Sequence, residues 1–233
     1  EPPKTGSSTD YVSLKNINER VVTRINSFFS ETMKADKNLI FLGEDVLSPY
    51  GGAFKVAKNL SKEHPNNVIS TPISEGAITG LANGLALSGF RPYLEIMFGD
   101  FITLALDQII NHASKFYHMY NKQVTCPIVI RTPMGGGRGY GPTHSQTMDK
   151  FMVGIDNVSV IALNSLIDPK LIYKNIHYNE KHPVLVIENK LDYGRFVGAS
   201  KIDYYTLKQS KCLYPIVKCS PEIDKPSLTL VTY

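Results

Sequence analysis

Five short polar segments carry the residues whose types suit chemistry: Gly43-Glu44-Asp45, Thr71-Pro72-Ile73-Ser74-Glu75-Gly76, Phe98-Gly99-Asp100-Phe101, the loop Gly135–Ser145, and Glu188-Asn189. Glu75 opens an apolar, small-residue run containing Ala77, Ile78, Leu81, Ala82, Leu85 and Ala86. That run predicts a tightly packed helix, which would leave the carboxylate partly desolvated. Burial raises a carboxyl pKa, and a raised pKa suits an acid that shares a proton. A plainer reading is that Ser74 caps the helix and Glu75 favours the positive end of its dipole. Local sequence alone favours the plainer reading.

The glycine-rich run Gly135–Gly141, followed by Pro142-Thr143-His144-Ser145, invites comparison with phosphate-binding turns. The spacing argues against this, since a dinucleotide fingerprint beginning at Gly137 needs glycine where Pro142 stands, and no Gly-Lys-Ser/Thr occurs. The alternative is a flexible loop delivering His144 to the mouth of a site, with Thr143 or Ser145 capping a following helix. The other histidines, His64, His112, His118, His177 and His182, read as surface or helix-packing residues. An exposed loop histidine is common, so His144 alone is a modest signal. Phe101 has an aromatic face suited to stacking on a planar ring, although such a residue is more often core, and Asp100 suits a helix cap near Ile102 or Thr103.

These segments need elements to position them. Apolar residues Ile17, Val21, Ile25 and Phe28 recur at steps of three and four, predicting a helix from Leu14 to about Met33. Short apolar, β-branched runs follow at Leu39–Leu42, Val68–Ser70, Tyr93–Met97, Pro127–Arg131, Val158–Leu163 and Val184–Glu188, with helices expected at about 54–63, 75–88, 103–119, 145–154 and 168–179. Strand alternating with helix predicts an α/β fold, a three-layer parallel sheet covered by helices on both faces. Ligands of such sheets collect at the carboxyl ends of the strands, where all five polar segments fall. Residues 189–226 lack sustained periodicity and read as a connecting segment. Residues 227–233 alternate as a strand that would open a further, truncated C-terminal domain, leaving 1–188 as the main domain.

At 233 residues, 42% hydrophobic and 20% charged, the chain suits a globular domain rather than a disordered tail or disulfide miniprotein. Cys126, Cys212 and Cys219 are too few and too scattered for a zinc cluster, so a reducing compartment and no metal ligands are expected. The net charge of +4 is spread without a basic stripe, which argues against nucleic acid. No apolar run reaches the roughly 18 residues of a membrane span, and any targeting peptide is expected to lie outside this sequence.

Taken in order, the segments resemble the beta subunit of the thiamine-diphosphate-dependent component of 2-oxoacid dehydrogenase complexes, of which pyruvate dehydrogenase is an example. The matching stretches are Gly43-Glu44-Asp45-Val46 with Tyr50-Gly51-Gly52, Thr71-Pro72-Ile73-Ser74-Glu75, Gly89-Phe90-Arg91-Pro92, Asp107-Gln108-Ile109-Ile110-Asn111, Pro127-Ile128-Val129-Ile130-Arg131 and His144-Ser145-Gln146. Similarity runs from about Leu14 to the end. The resemblance implies a transketolase-type pyrimidine-binding domain acting in oxidative decarboxylation of a 2-oxoacid and acyl transfer to lipoamide. It implies that Glu75 hydrogen-bonds the aminopyrimidine nitrogen N1′ and favours the imino tautomer that deprotonates the thiazolium carbon. It further implies that Phe101 stacks on the pyrimidine beside Met97, that His144 serves the substrate channel and acyl transfer, and that Glu44 helps relay protons.

The chain has no Gly-Asp-Gly segment, and Asn66-Asn67 has no such partner upstream. Thiamine diphosphate is therefore expected to be shared with an alpha subunit that holds the diphosphate and magnesium, in a heterotetramer of two alpha and two beta chains on a lipoyl acyltransferase core. The compartment implied is bacterial cytoplasm or mitochondrial matrix. Tyr178–His182 does not align with the family's structural potassium site, so potassium is left unassigned, and the loop containing Arg138 and Tyr140 departs from the better-known subunits, so substrate choice is not carried over. Other readings kept open are a transketolase-like or non-oxidative thiamine enzyme subunit and a non-catalytic module of the same fold.

Overall fold

The computed structural model describes residues 10–199, 202–223 and 226–232; the outer parts of the expected 1–188 and 227–233 segments, residues 1–9 and Tyr233, lie outside the described residues. The strands are β1 (Tyr11–Ser13), β2 (Ile17–Arg20), β3 (Leu39–Glu44), β4 (Val68–Thr71), β5 (Arg91–Glu95), β6 (Val129–Met134), β7 (Ser159–Ala162), β8 (Val184–Asn189), β9 (Phe196–Val197), β10 (Tyr205–Ser210) and β11 (Val217–Pro221). The helices are α1 (Val21–Ala35), α2 (Leu60–Glu63), α3 (Glu75–Leu87), α4 (Phe116–Met119) and α5 (Pro169–Asn179).

Six strands form one sheet in the order β4-β3-β5-β6-β8-β7, and every pairing is parallel. Parallel strands need crossovers that cover both faces, which explains why β3, β5, β6 and most of β8 are buried along their length. Side chains alternate between the two faces of each strand, so the core divides in two. On one side Phe41, Tyr93, Val129 and Val186 pack under Phe28, Phe29 and Met33 of α1 and Ile172, Tyr173 and Ile176 of α5. On the other, Leu42, Leu94, Ile130 and Leu185 meet Ile78, Ala82 and Ala86 of α3.

Four expectations are corrected. The first helix begins at Val21 rather than Leu14, because Ile17–Arg20 pairs with β9 in a two-stranded ribbon, and Ile17 is apolar for that pairing. The stretch 103–119 is broken into a 3-10 turn at Gly99–Ala105, a π-helical turn at Gln108–Ala113 and the short α4. Likewise 54–63 retains only α2, preceded by left-handed Lys55 and Asn59, and 145–154 holds only a 3-10 turn at Asp149–Phe151. Apolar spacing marks which residues are covered, and in these stretches tertiary packing covers them without regular helix.

Within 189–226, β10 pairs antiparallel with both β1 and β11 in a three-stranded sheet. Its side chains are mostly exposed, so no alternation of apolar and polar residues announces it. Residues 226–232 form no strand, since an alternating run becomes one only beside an edge to pair with.

At the amino ends of the strands, opposite the polar segments, Arg91 ties three elements together. Its guanidinium donates to the carbonyls of Pro127 (2.9 Å), Glu180 (2.9 Å) and Ile176 (2.7 Å), closing the C-terminus of α5 onto β5. Nearby, Tyr93 Oη lies 3.2 Å from His177 Nδ1, whose Nε2 is 3.1 Å from Asp36. Burial and the neighbouring Arg91 hold the His177 imidazole below its usual pKa, in keeping with a packing residue. Replacing Arg91 with Met removes the side-chain donor of the Pro127 and Glu180 carbonyls, while the Ile176 carbonyl keeps the Glu180 N–H, so the midpoint of urea unfolding is expected to fall by the equivalent of about 3 kcal/mol.

Candidate functional site

The carboxyl ends of β3, β5, β6 and β8, with the start of α3, gather the polar residues. Glu44 ends β3 and is only 4% exposed; Glu75 opens α3 and is only 6% exposed. Ser74 makes no side-chain cap hydrogen bond. The plainer reading of this helix start therefore loses its cap, and the Ser74 backbone instead favours the ionised form of the Glu44 carboxyl. The second oxygen of Glu44, Oε1, is buried with no protein partner. Burial, and then the negative charges of Glu75, Asp45 and Glu95, push the Glu44 carboxyl up to about 7.

An aromatic wall follows β5. The Phe98 and Phe101 rings approach at 6.1 Å between centroids, and His144 packs edge-on against both, at 4.8 and 5.2 Å. Tyr140 of the same glycine-rich loop meets Phe98 at 5.6 Å. Phe101 is half-buried and packs against the helix-side core, which leaves part of its ring uncovered. Met97 is half-buried at the same strand end. His144 sits in a 3-10 turn at Pro142–His144 with its Nδ1 3.0 Å from Thr143 Oγ1; it does not precede a capped helix.

Asp100 is not a helix cap. Its buried Oδ1 accepts from the backbone N–H of Gln146 (3.1 Å) and from Gln146 Nε2 (3.0 Å), fastening the far end of the loop. Lys190, fully buried directly after β8, donates from Nζ to the carbonyls of Gly135 (3.2 Å) and His144 (2.5 Å) and lies 5.0 Å from the Phe98 ring centroid. Burial lowers the Lys190 pKa, while Asp100 opposes that shift. Sequence reading reached Glu188-Asn189 and stopped one residue short of it. A lysine directly after the polar end of a strand that opens with the apolar run Val184–Ile187 was the available signal.

Beneath this surface lies a fully buried ionic network. Arg131 of β6 donates to Glu95 of β5 and to both oxygens of Glu188 of β8, and Tyr173 and Tyr193 also donate to Glu188. Desolvation disfavours the Arg131 charge, but the Glu188 and Glu95 carboxylates outweigh it and hold the guanidinium protonated. Burial raises the Glu95 carboxyl despite Arg131. Glu95 also explains a glycine: Gly52 has φ +79°, and a Cβ there would stand 2.8 Å from Glu95 Oε1. Among the described residues, no group of three or more His, Cys, Asp or Glu side chains is placed to hold a metal ion. No helix of these residues is long and apolar enough to cross a membrane.

The structure thus brings Glu44 beside Glu75, and His144 beside Phe101. The arrangement offers two buried carboxyls, an aromatic wall, and a histidine on a pinned loop.

Residues 20–195 match the family model described as transketolase, pyrimidine binding domain. Pyruvate dehydrogenase E1 component subunit beta-1, mitochondrial, of Arabidopsis thaliana is 35% identical over 210 residues, covering 90% of this chain and 56% of that protein. The 2-oxoisovalerate dehydrogenase subunit beta of Bacillus subtilis (strain 168) is 33% identical over 213 residues, covering 91% and 62%. The chain therefore spans little more than half the length of these curated relatives. A solved structure described as split gene transketolase, inactive beta4 tetramer, superposes with TM-score 0.57 at 18% identity over 78% of this chain and 52% of that one, which establishes likeness of fold.

Two outcomes test the site's energetics. Because the folded state binds the Glu44 proton more tightly than the unfolded chain, that group's contribution is complete below about pH 4.5 and is lost as pH rises through about 7. Glu95 acts in the same direction, so the informative quantity is a difference: Glu44→Gln should gain stability relative to the parent between pH 5 and pH 8, measured by urea unfolding at each pH. Arg131→Met strands two buried carboxylates and should cost about 3–5 kcal/mol, much of it recovered when Glu95→Gln and Glu188→Gln are added.

Proposed function

Because the chain belongs to the family of transketolase pyrimidine-binding domains, we propose that it is the pyrimidine-binding part of the beta subunit of a thiamine-diphosphate-dependent 2-oxoacid dehydrogenase. Its reaction is oxidative decarboxylation of a 2-oxoacid with acyl transfer to lipoamide. The named relatives, beta subunits of pyruvate and 2-oxoisovalerate dehydrogenases, favour this over a transketolase-like or non-oxidative enzyme. The observation that carries the reading is the buried Glu44–Glu75 pair at the head of α3, close to the aromatic residues that follow β5.

These residues fit an aminopyrimidine. A buried oxygen without a donor costs free energy, and Glu44 Oε1 is such an oxygen, so a protonated partner on a bound ring or on Glu75 would relieve it. Glu75 would hold a proton at the ring nitrogen, Phe101 would stack on the ring beside Met97, and Glu44 would exchange a proton with Glu75. Thiamine diphosphate supplies, when bound, the electron sink for decarboxylation. His144 would orient the substrate and assist acyl transfer, held against the Phe98 ring that Tyr140 also meets.

The diphosphate and magnesium are assigned to an alpha subunit, in a heterotetramer of two alpha and two beta chains working with a lipoyl acyltransferase core. The compartment in this reading is bacterial cytoplasm or mitochondrial matrix. In a complex reconstituted from full-length chains, Glu75→Gln should lower turnover roughly 10²- to 10⁴-fold with circular dichroism unchanged. Parental turnover in that variant would remove Glu75 from the chemistry.

A further inference from the structure

The loop that carries His144 is poor in its own constraints. Gly135, Gly137, Gly139 and Gly141 all take positive φ, between +76° and +90°, so backbone freedom is concentrated in the segment that has to present the histidine. One long hydrogen bond closes its base, from the Gly135 N–H to the Gln146 carbonyl at 3.3 Å, and a second of the same length joins the His144 N–H to the Gly141 carbonyl. Beyond the ring contacts of Tyr140 and His144 and the Arg138 guanidinium over Phe54, its hydrogen bonds to the rest of the fold converge on two buried charged residues. Asp100 Oδ1 accepts from Gln146 on one side, and Lys190 Nζ reaches the carbonyls of both Gly135 and His144 on the other. Arg138 of the loop also donates to the Lys190 carbonyl at 3.4 Å.

An ammonium with no exposure to water is costly unless something specific compensates it. Here the compensation comes from two loop carbonyls and the Phe98 ring at 5.0 Å, with the Asp100 charge adding to it. The same Phe98 ring packs on His144 at 4.8 Å, so Lys190 and the imidazole share one aromatic neighbour. Because Lys190 directly follows β8, the position of the ammonium is fixed by the central sheet.

We propose that Lys190 is the positioning residue for His144: its buried ammonium staples the two ends of the glycine-rich loop to the end of β8 and so holds the imidazole against Phe98 and Phe101. Lys190 is sequestered from the site and touches the loop instead. Hydrogen bonds from a charged donor are stronger than neutral ones, and one such donor serving residues 135 and 144 spans nearly the whole loop.

Hydrogen exchange read by mass spectrometry on the full-length chain, in complex with its partner, tests this. In Lys190→Met the amides of residues 135–146 should exchange ~10- to 100-fold faster, with the amides of the central strands unchanged. If loop exchange matches the parent, the proposal is wrong. Should the Met variant fail to assemble, Lys190→Gln, which keeps a donor for one carbonyl, is read in the same way, and Lys190→Arg should restore part of the protection.

A kinetic arm rests on the reading of His144 given above. Acyl transfer should fall ~10- to 100-fold in Lys190→Met. Adding Lys190→Met to His144→Ala should cause no further loss, because both changes remove the same positioned group; fully additive losses would overturn the link. Loss of loop protection in Lys190→Met together with unimpaired acyl transfer in His144→Ala would leave the staple standing and overturn the role of His144.

Discussion

The carboxyl end of the sheet is organised around one guanidinium. Arg131 occupies the middle of β6, fully buried, with Glu95 from β5 on one side and Glu188 from β8 on the other. A charge in that position is tolerable only if its donors are matched, and Tyr173 and Tyr193 complete the matching by donating to Glu188. Tyr173 belongs to α5 and Tyr193 to the turn after β8, so the network reaches beyond the sheet to the elements packed on it. Glu95 in turn fills the space against Gly43 and Gly52, which sets how closely the loop after β3 approaches the sheet.

The polar surface above rests on that fixed floor. Glu44 ends β3 and Phe98 follows β5, two neighbouring strands whose spacing is set by their parallel pairing. Glu75 enters from the far side at the head of α3, whose small residues let it pack down on β3 and β5. Two acidic groups thereby come together in a place that water reaches poorly, and the Glu75 charge adds to burial in making Glu44 harder to ionise. The opposite end of the sheet shows how similar ingredients give a different result. Asp36, His177 and Tyr93 form a hydrogen-bonded chain there, yet they lie between α1, α5 and β5 and serve to close the core.

Much of the architecture was legible because the central strands are buried on both faces. Continuous apolar runs such as Leu39–Leu42 and Val184–Ile187 suit a buried parallel sheet, α3 carries a run of small and apolar residues, and α5 carries both pattern and a capping residue, Asp168. Legibility failed where burial was partial. The run after Phe101 has helical spacing, yet its backbone alternates between 3-10, π and α turns as it packs on α3. The β10–β11 hairpin lies largely in solvent, so pairing alone defines it and composition carried no trace of it.

The same division runs through the site. By itself the sequence determined that acids, aromatics and a glycine-borne histidine follow the strands of an α/β sheet, because the strand pattern and the residue types are local properties. It also identified Glu75, Phe101 and His144 as candidates through the order of their motifs. Only the tertiary structure decided that Glu44 and Glu75 share one desolvated corner, that Asp100 fastens Gln146 rather than capping a helix, and that Lys190 reaches back 46 and 55 residues to His144 and Gly135. The physical reason is that burial and charge–charge proximity are properties of pairs distant in the chain, and no window of sequence contains both members.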